Sequence, residues 1–339
     1  MSKMHWALAA IAATLIGGCT KKETPAPAAE KPATVQETKP SVVAVEPIKP
    51  LPNSVDVNMD KVLLGRSLFN DTAFSGDGTI SCATCHMLDH GGAEPRKTST
   101  GIRGQIGPIN APTVLNSGYN FVQFWDGRAK DLQEQAAGPV ANPVEMGAKW
   151  DNVVERLKKN QEYAAAFAKL YEDGVTKDNA TDAIAEYEKS LITPSRFDKF
   201  LLGDETAITD AEKSGYATFK EVGCTACHTG IIAGGTMFQK MGLVKDYFAD
   251  RGTPITKADL GRFNVTKNAA DKHFFKVPTL RNVELTSPYL HDGSRDTLEE
   301  TVKVMGTYQL GRDLTDAQIN SIVTFLKSLT GQLPPYAKR

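Results

Sequence analysis

Apolar residues recur at helical spacing along most of this chain, and convincingly alternating stretches are scarce. Leu63, Leu64, Leu68 and Phe69 predict a helix near the start of the globular part. Three more helices are announced by capping boxes, in which a hydroxyl and a carboxylate or amide three residues on satisfy each other's backbone N–H groups. Thr209-x-x-Glu212 precedes Tyr216, Phe219 and Val222, and Thr297-x-x-Glu300 precedes Val302. Thr315-x-x-Gln318 opens a helix with Ile319, Ile322, Val323, Leu326 and Leu329 on one face, ended by Gly331 and Pro334. Between such helices lie long segments with Gly, Pro and Asn, residues 91–112 and 230–242 among them. The expectation is a mainly α protein with long loops wrapped around a cofactor.

The pattern changes at the N-terminus. Lys3 precedes an apolar run over residues 6–16 that is too short for a stable membrane span, and Leu15-Ile16-Gly17-Gly18-Cys19 resembles a lipobox. Residues 1–19 are therefore expected to be a lipoprotein signal, with Cys19 lipidated and the mature protein held to a membrane by its acyl chains alone. Thr20-Lys21 follows, without an Asp at the second position, which favours the outer membrane. Residues 20–52, rich in Pro, Ala, Glu and Lys without an amphipathic period, are expected to be a flexible tether. The chain has 339 residues, 41% hydrophobic, with a formal net charge of −1. That length allows two domains, expected at 53–205 and 206–339. The balanced charge excludes holding nucleic acid by electrostatics.

The two domains are expected to be related by duplication. Each half has a C-x-x-C-H motif, then Pro-Thr-x-x-Asn (Pro112-Thr113 to Asn116; Pro278-Thr279 to Asn282), then Asp-Gly (Asp126-Gly127; Asp292-Gly293), then Met-Gly (Met146-Gly147; Met305-Gly306). The shared order carries more weight than any single match.

Of the five cysteines, four lie in Cys82-Ala83-Thr84-Cys85-His86 and Cys224-Thr225-Ala226-Cys227-His228. Two thiols one helical turn apart can form thioethers to the vinyl groups of one haem, and the next residue then presents its imidazole to the iron. His86 and His228 are thus the expected proximal ligands of two c-type haems. A redox disulfide has no need of the trailing histidine, and a structural zinc site rarely separates its two pairs so widely. Spacing alone leaves the sixth ligands open among the remaining histidines and methionines.

These motifs, with Asn110-Ala111-Pro112-Thr113, Phe124-Trp125-Asp126-Gly127-Arg128, Val277-Pro278-Thr279-Leu280-Arg281-Asn282 and His291-Asp292-Gly293, resemble the bacterial di-haem cytochrome c peroxidases over nearly all of the chain after the tether. The resemblance implies a periplasmic enzyme that reduces hydrogen peroxide with electrons from a monohaem cytochrome c or a cupredoxin. It implies two cytochrome c-like haem domains and a homodimer. By the same resemblance the haem on Cys82, Cys85 and His86 is the peroxidatic one, with Glu145 and Gln135 in its distal pocket. The haem on Cys224, Cys227 and His228 receives electrons and has Met305 as its second ligand. Trp125 lies between the haems. Asn110 and the carbonyls of Thr286 and Pro288 correspond to a calcium site. Met146 is left as packing, His291 as a structural residue or a lining of the second haem's edge, and His273 as an ordinary packing or surface histidine.

One position departs from the family. The loop histidine that caps the peroxidatic iron until the other haem is reduced is replaced by Ile102, which cannot ligate iron. Either the first iron is open from the start or another residue caps it, and His90 is the only histidine nearby in sequence. The rival functions are a purely electron-carrying di-haem cytochrome, an oxidant of a partner protein (in which tyrosine replaces Met305), and a haem-binding sensor.

Overall fold

The computed structural model describes residues 46–338. The expected leader, Cys19 and residues 20–45 lie outside them. Among the described residues the chain is mainly helical. Its first half runs α1 (Met59–Phe69), α2 (Cys82–Cys85), α3 (Leu132–Ala141), α4 (Trp150–Lys159), α5 (Gln161–Leu170) and α6 (Lys177–Ser190). Then follow α7 (Arg196–Leu201), α8 (Asp210–Val222), α9 (Tyr247–Asp250), α10 (Phe263–Thr266), α11 (Leu298–Val304) and α12 (Asp316–Lys327). Two three-residue strands, β1 (Phe238–Lys240) and β2 (Phe274–Lys276), pair antiparallel with Gln239 opposite Phe275.

The local signals act as anticipated. Thr209, Thr297 and Thr315 each cap a helix, with Glu212, Glu300 and Gln318 closing the boxes. Residues Ile319, Ile322, Val323 and Leu326 of α12 are all buried, as their spacing requires. That helix stops at Lys327 rather than reaching Gly331. The Leu329 carbonyl instead accepts from Asn282 N, and Gly331 N donates to Asn282 Oδ1, so the chain leaves the helix to bind the Pro-Thr-x-x-Asn loop.

Two hydrophobic clusters form. One gathers α1, α3 and α6 through residues such as Leu68, Phe69, Ala183 and Tyr187. The other gathers α8, α11 and α12 through Phe219, Val302, Phe325 and Leu326. The duplication is visible bond by bond. Ser190 Oγ donates to Tyr187 O, as Ser328 Oγ does to Phe325 O. Asn116 N donates to Leu191 O as Asn282 N does to Leu329 O, and both asparagines are left-handed. The Asp-Gly turns repeat as well, because Gly127 (φ 67°) and Gly293 (φ 60°) both need the left-handed region.

Each half brings its main helix pair together at a glycine. A Cβ on Gly65 would lie 1.8 Å from Ala183 O, and one on Gly215 would lie 2.1 Å from Ser321 O. Gly65→Ala or Gly215→Ala must therefore push the helices apart. The expected cost is about 1–3 kcal/mol, read as a lower thermal midpoint of the haem-loaded protein.

The tether reading needs one correction. Residues 46–52 are docked rather than free. Ile48 is fully buried, Pro47 O and Lys49 N bond the backbone of Gly230, and Leu51 N donates to Asp198 Oδ1. These bonds, an Arg281 donation to Lys49 O, and the buried Ile48 and Leu51 side chains hold this arm in place. The C-terminal tail crosses the other way, with Tyr187 Oη donating to Ala337 O.

Candidate cofactor and active site

The two C-x-x-C-H motifs are built alike. Cys82–Cys85 form one helical turn, opened by Ser81 and Thr84. Cys224–Ala226 form a 3-10 turn. In each motif the next imidazole is fixed through Nδ1, His86 to Gly92 O at 3.2 Å and His228 to Ala233 O at 3.1 Å. A ring that donates through Nδ1 keeps the Nε2 lone pair for a metal. Burial lowers the pKa of both histidines, which favours the neutral, ligating form. Phe69 and Phe219 lie against His86 and His228 with the same 6.4 Å centroid separation. Burial pushes the Cys82, Cys85 and Cys224 thiols up to about 12. Redox-active C-x-x-C pairs have depressed values, so these raised ones argue against a dithiol redox centre.

The second motif opens into a largely apolar cavity that Met305 also lines, together with Leu310, Ile322 and Leu326. Met305 begins a π-helical turn (Met305–Gln309) that continues α11. Lys276 lines the same cavity; it is 7% exposed, and Nζ donates to Asn120 Oδ1 at 3.1 Å. Burial lowers its pKa to about 8. A buried ammonium facing a neutral amide is suited to the carboxylate edge of a bound ligand. An apolar cavity, a fixed imidazole, a thioether and a buried cation together fit a haem.

The first motif is differently furnished. Met146 is buried in the hydrophobic cluster and does not stand where Met305 stands. Glu145, beside it, is half-buried and close enough to Cys85 to raise that thiol's pKa. Burial raises the Glu145 pKa, while the Arg128 charge and a hydrogen bond with Asn142 oppose the rise. Gln135 is half-buried on α3. Ile102 is 3% exposed, and its N–H donates to Glu145 O at 2.8 Å. His90 is exposed on the turn that follows His86.

Trp125, Asn110, Thr286 and Pro288 all line the second-half cavity. Trp125 Nε1 donates to Asn110 O at 3.0 Å, and the indole meets His291 and Phe275 edge-on. Asn110 Nδ2 donates to Arg96 O, which leaves its amide oxygen for another partner. With the two carbonyls this makes three neutral oxygens, so water would have to complete a calcium shell of six to eight. His291 is 3% exposed, stacks on Phe275 at 4.5 Å and meets Asp259 Oδ1 through Nε2 at 2.8 Å. Asp259, His291 and Asp292 are close enough together to hold a cation, but Arg251 pairs with both acids at 2.7 and 3.0 Å. His273 stacks on Phe248 at 4.2 Å and bonds Asp259 O, so it packs.

Three residues were not singled out from sequence: Arg128, Lys276 and Glu188. The first two lie in or beside recognisable motifs, which was the available signal. Glu188 is a buried acid on α6 whose Oε2 has no hydrogen-bond partner.

A family model described as di-haem cytochrome c peroxidase matches residues 59–206. Over 294 residues the chain is 51% identical to cytochrome c peroxidase Ccp of Escherichia coli strain K12, covering 86% of this chain and 62% of that one. It is 48% identical over 297 residues to cytochrome c551 peroxidase of Nitrosomonas europaea, covering 87% of each. The chain thus spans under two thirds of the length of the first of these relatives. The crystal structure of a MauG-like protein associated with microbial copper homeostasis aligns with a TM-score of 0.72 at 27% identity, covering 87% of this chain and 96% of that chain.

Proposed function

The chain belongs to the family of di-haem cytochrome c peroxidases, and on that footing we propose that it reduces hydrogen peroxide to water with electrons delivered singly by a monohaem cytochrome c or a cupredoxin. The observation that carries this reading is the asymmetry of two otherwise matching sites. In one, Met305 lines the cavity; in the other, a half-buried carboxyl with a raised pKa stands beside Met146, which is packed into the hydrophobic cluster. Thioether ligation suits electron transfer, whereas peroxide reduction needs an accessible metal position and a group to move protons.

The haems supply the redox-active iron and the store of electrons. Glu145 would act as the general base and acid, taking a proton from one peroxide oxygen and returning it to the other as the O–O bond breaks. Gln135 orients peroxide by hydrogen bonding. Peroxide, two electrons and two protons give two waters, with the electrons entering at the second-half site and passing towards the first by way of Trp125. Asn110, Thr286 and Pro288 hold a weak calcium ion at the junction. The enzyme is a homodimer, exported and anchored in the periplasm through Cys19. No helix among the described residues is long and apolar enough to cross a membrane.

Ile102 bears on activation. Its side chain is packed and its backbone is tied to Glu145, and His90 is exposed, so neither supports a cap on the first iron. Peroxide-dependent oxidation of a reduced monohaem cytochrome c tests the proposal. Fully oxidised and half-reduced enzyme should start at equal rates. A lag confined to the oxidised form would reveal a cap, and no turnover with several competent donors would leave an electron carrier.

Arg128 supplies a pH test. Its positive charge opposes the rise in the Glu145 pKa. Arg128→Gln therefore raises that pKa further, so that as pH falls the carboxylate base is lost at a higher pH than in the wild type. The acid limb of the turnover profile should move to higher pH, and added salt should mimic part of the shift because Arg128 is partly exposed.

A further inference from the structure

The duplication fixes which residues of the two halves correspond. Tyr187 and Phe325, Ser190 and Ser328, and Leu191 and Leu329 make matching bonds, and each pair is 138 residues apart. In the same register Ile184 corresponds to Ile322, and Glu188 to Leu326. Ile322 and Leu326 line the second-half cavity. In this register the first half has a carboxyl where the second half lines its cavity with leucine.

Glu188 is 4% exposed, and its Oε2 has no hydrogen-bond partner. It lies close enough to Cys82 to raise that thiol's pKa. Burial pushes its own pKa up to about 8. The charged and titratable groups on the elements around it make their hydrogen bonds elsewhere, although Arg66 Nε is itself buried without a partner. Arg66 on α1 donates to Tyr336 O, and Arg156 on α4 donates to the Ala73 and Ser75 carbonyls. Tyr187 Oη donates to Ala337 O, Tyr336 Oη donates to Ser190 O, and Lys189 pairs with Glu186 on the outer side of α6. Among the described residues no cation pairs with this carboxyl, and a group so placed is sensitive to any change in charge beside it.

Resting on the assignment of a haem to Cys82, Cys85 and His86, we propose that Glu188 is the proton acceptor coupled to reduction of that haem. When one electron arrives from the second-half site, the Glu188 carboxylate takes one proton from solvent and becomes a neutral carboxylic acid. On reoxidation the proton leaves. Only an O–H bond forms or breaks, and the electron carries the charge that the proton balances. The coupling is reciprocal, so protonation of Glu188 also makes that haem easier to reduce.

The test uses the assembled di-haem protein. The midpoint potential of the first haem is followed spectroelectrochemically on both sides of pH 8, with the second haem as internal reference. The wild-type potential should fall as pH rises, with one proton taken up per electron through the coupled range. Redox-difference infrared spectra should gain a protonated-carboxyl band on reduction. Glu188→Gln and Glu188→Leu, the latter copying the second half, should flatten the pH dependence and remove the band. Glu186→Gln, which removes the carboxylate paired with Lys189 on the same helix, should keep both. A wild-type potential that ignores pH would overturn the proposal, as would Glu188 variants that retain the wild-type slope and band. Peroxide turnover is measured alongside. Its loss with the slope intact counts against the peroxidase reading alone, and its presence with a flat slope counts against Glu188 alone.

Discussion

Glu145→Gln is expected to lower peroxide turnover by about 10²–10⁴-fold, the usual contribution of a positioned general acid–base group. Haem content and the thioether bonds should be unchanged, because Glu145 takes no part in attachment. The amide keeps the shape and can hydrogen-bond to peroxide, but it cannot carry a proton from one oxygen to the other. Burial raises the Glu145 pKa, whereas the Arg128 charge and the Asn142 hydrogen bond oppose the rise. The pH dependence gives a second reading. Wild-type turnover should fall at low pH as the base is protonated, and the residual activity of the variant should lack that limb. Steady-state turnover with a reduced monohaem cytochrome, together with the haem spectrum, checks both. A variant with full turnover and a normal acid limb would remove Glu145 from the mechanism.

Much of the architecture was legible because local chemistry specified it. The three capping boxes start helices whatever packs around them. The order of C-x-x-C-H, Pro-Thr-x-x-Asn and Asp-Gly is a repeat because each motif meets a backbone requirement that both halves share. Left-handed Asn116 and Asn282 and the paired imidazole–carbonyl bonds are the structural form of that repeat. What could not be read depends on partners distant in sequence. Ile48 and Leu51 are two apolar residues in a polar, proline-rich stretch, and only the Gly230 loop and Asp198 give them somewhere to dock. Lys276 and Glu188 belong to residue types that are rarely buried, so composition argues against their actual positions. Their burial is set by the helices and strands around them, and the repeat register is the one sequence-level clue that separates Glu188 from Leu326.

Asp198→Ala is expected to cost about 3–5 kcal/mol, because it strands a buried guanidinium. Arg281 is fully buried, and Asp198 is 2% exposed. The carboxylate accepts both Arg281 Nη atoms at 2.7 Å, Leu51 N at 2.7 Å, Ser195 N at 2.7 Å and Ser195 Oγ at 2.9 Å. Arg281 also donates to Lys49 O and Ile231 O. One acid thus joins the N-terminal arm, the start of α7 and the second Pro-Thr-x-x-Asn loop. Alanine leaves the Leu51 and Ser195 donors unsatisfied along with the charge. In a protein of this size the thermal midpoint of the haem-loaded form should fall by roughly 5–15 °C. Asp198→Asn keeps an acceptor and should lose less. Combining Asp198→Ala with Arg281→Met should restore part of the loss, because the unpaired charge goes with the arginine. The Leu51 amide should exchange faster in the alanine variant, since its acceptor is gone. If instead Asp198→Ala and the double variant melt at the wild-type temperature, the pair merely fills space and the arm is held by Ile48 and the Gly230 backbone alone.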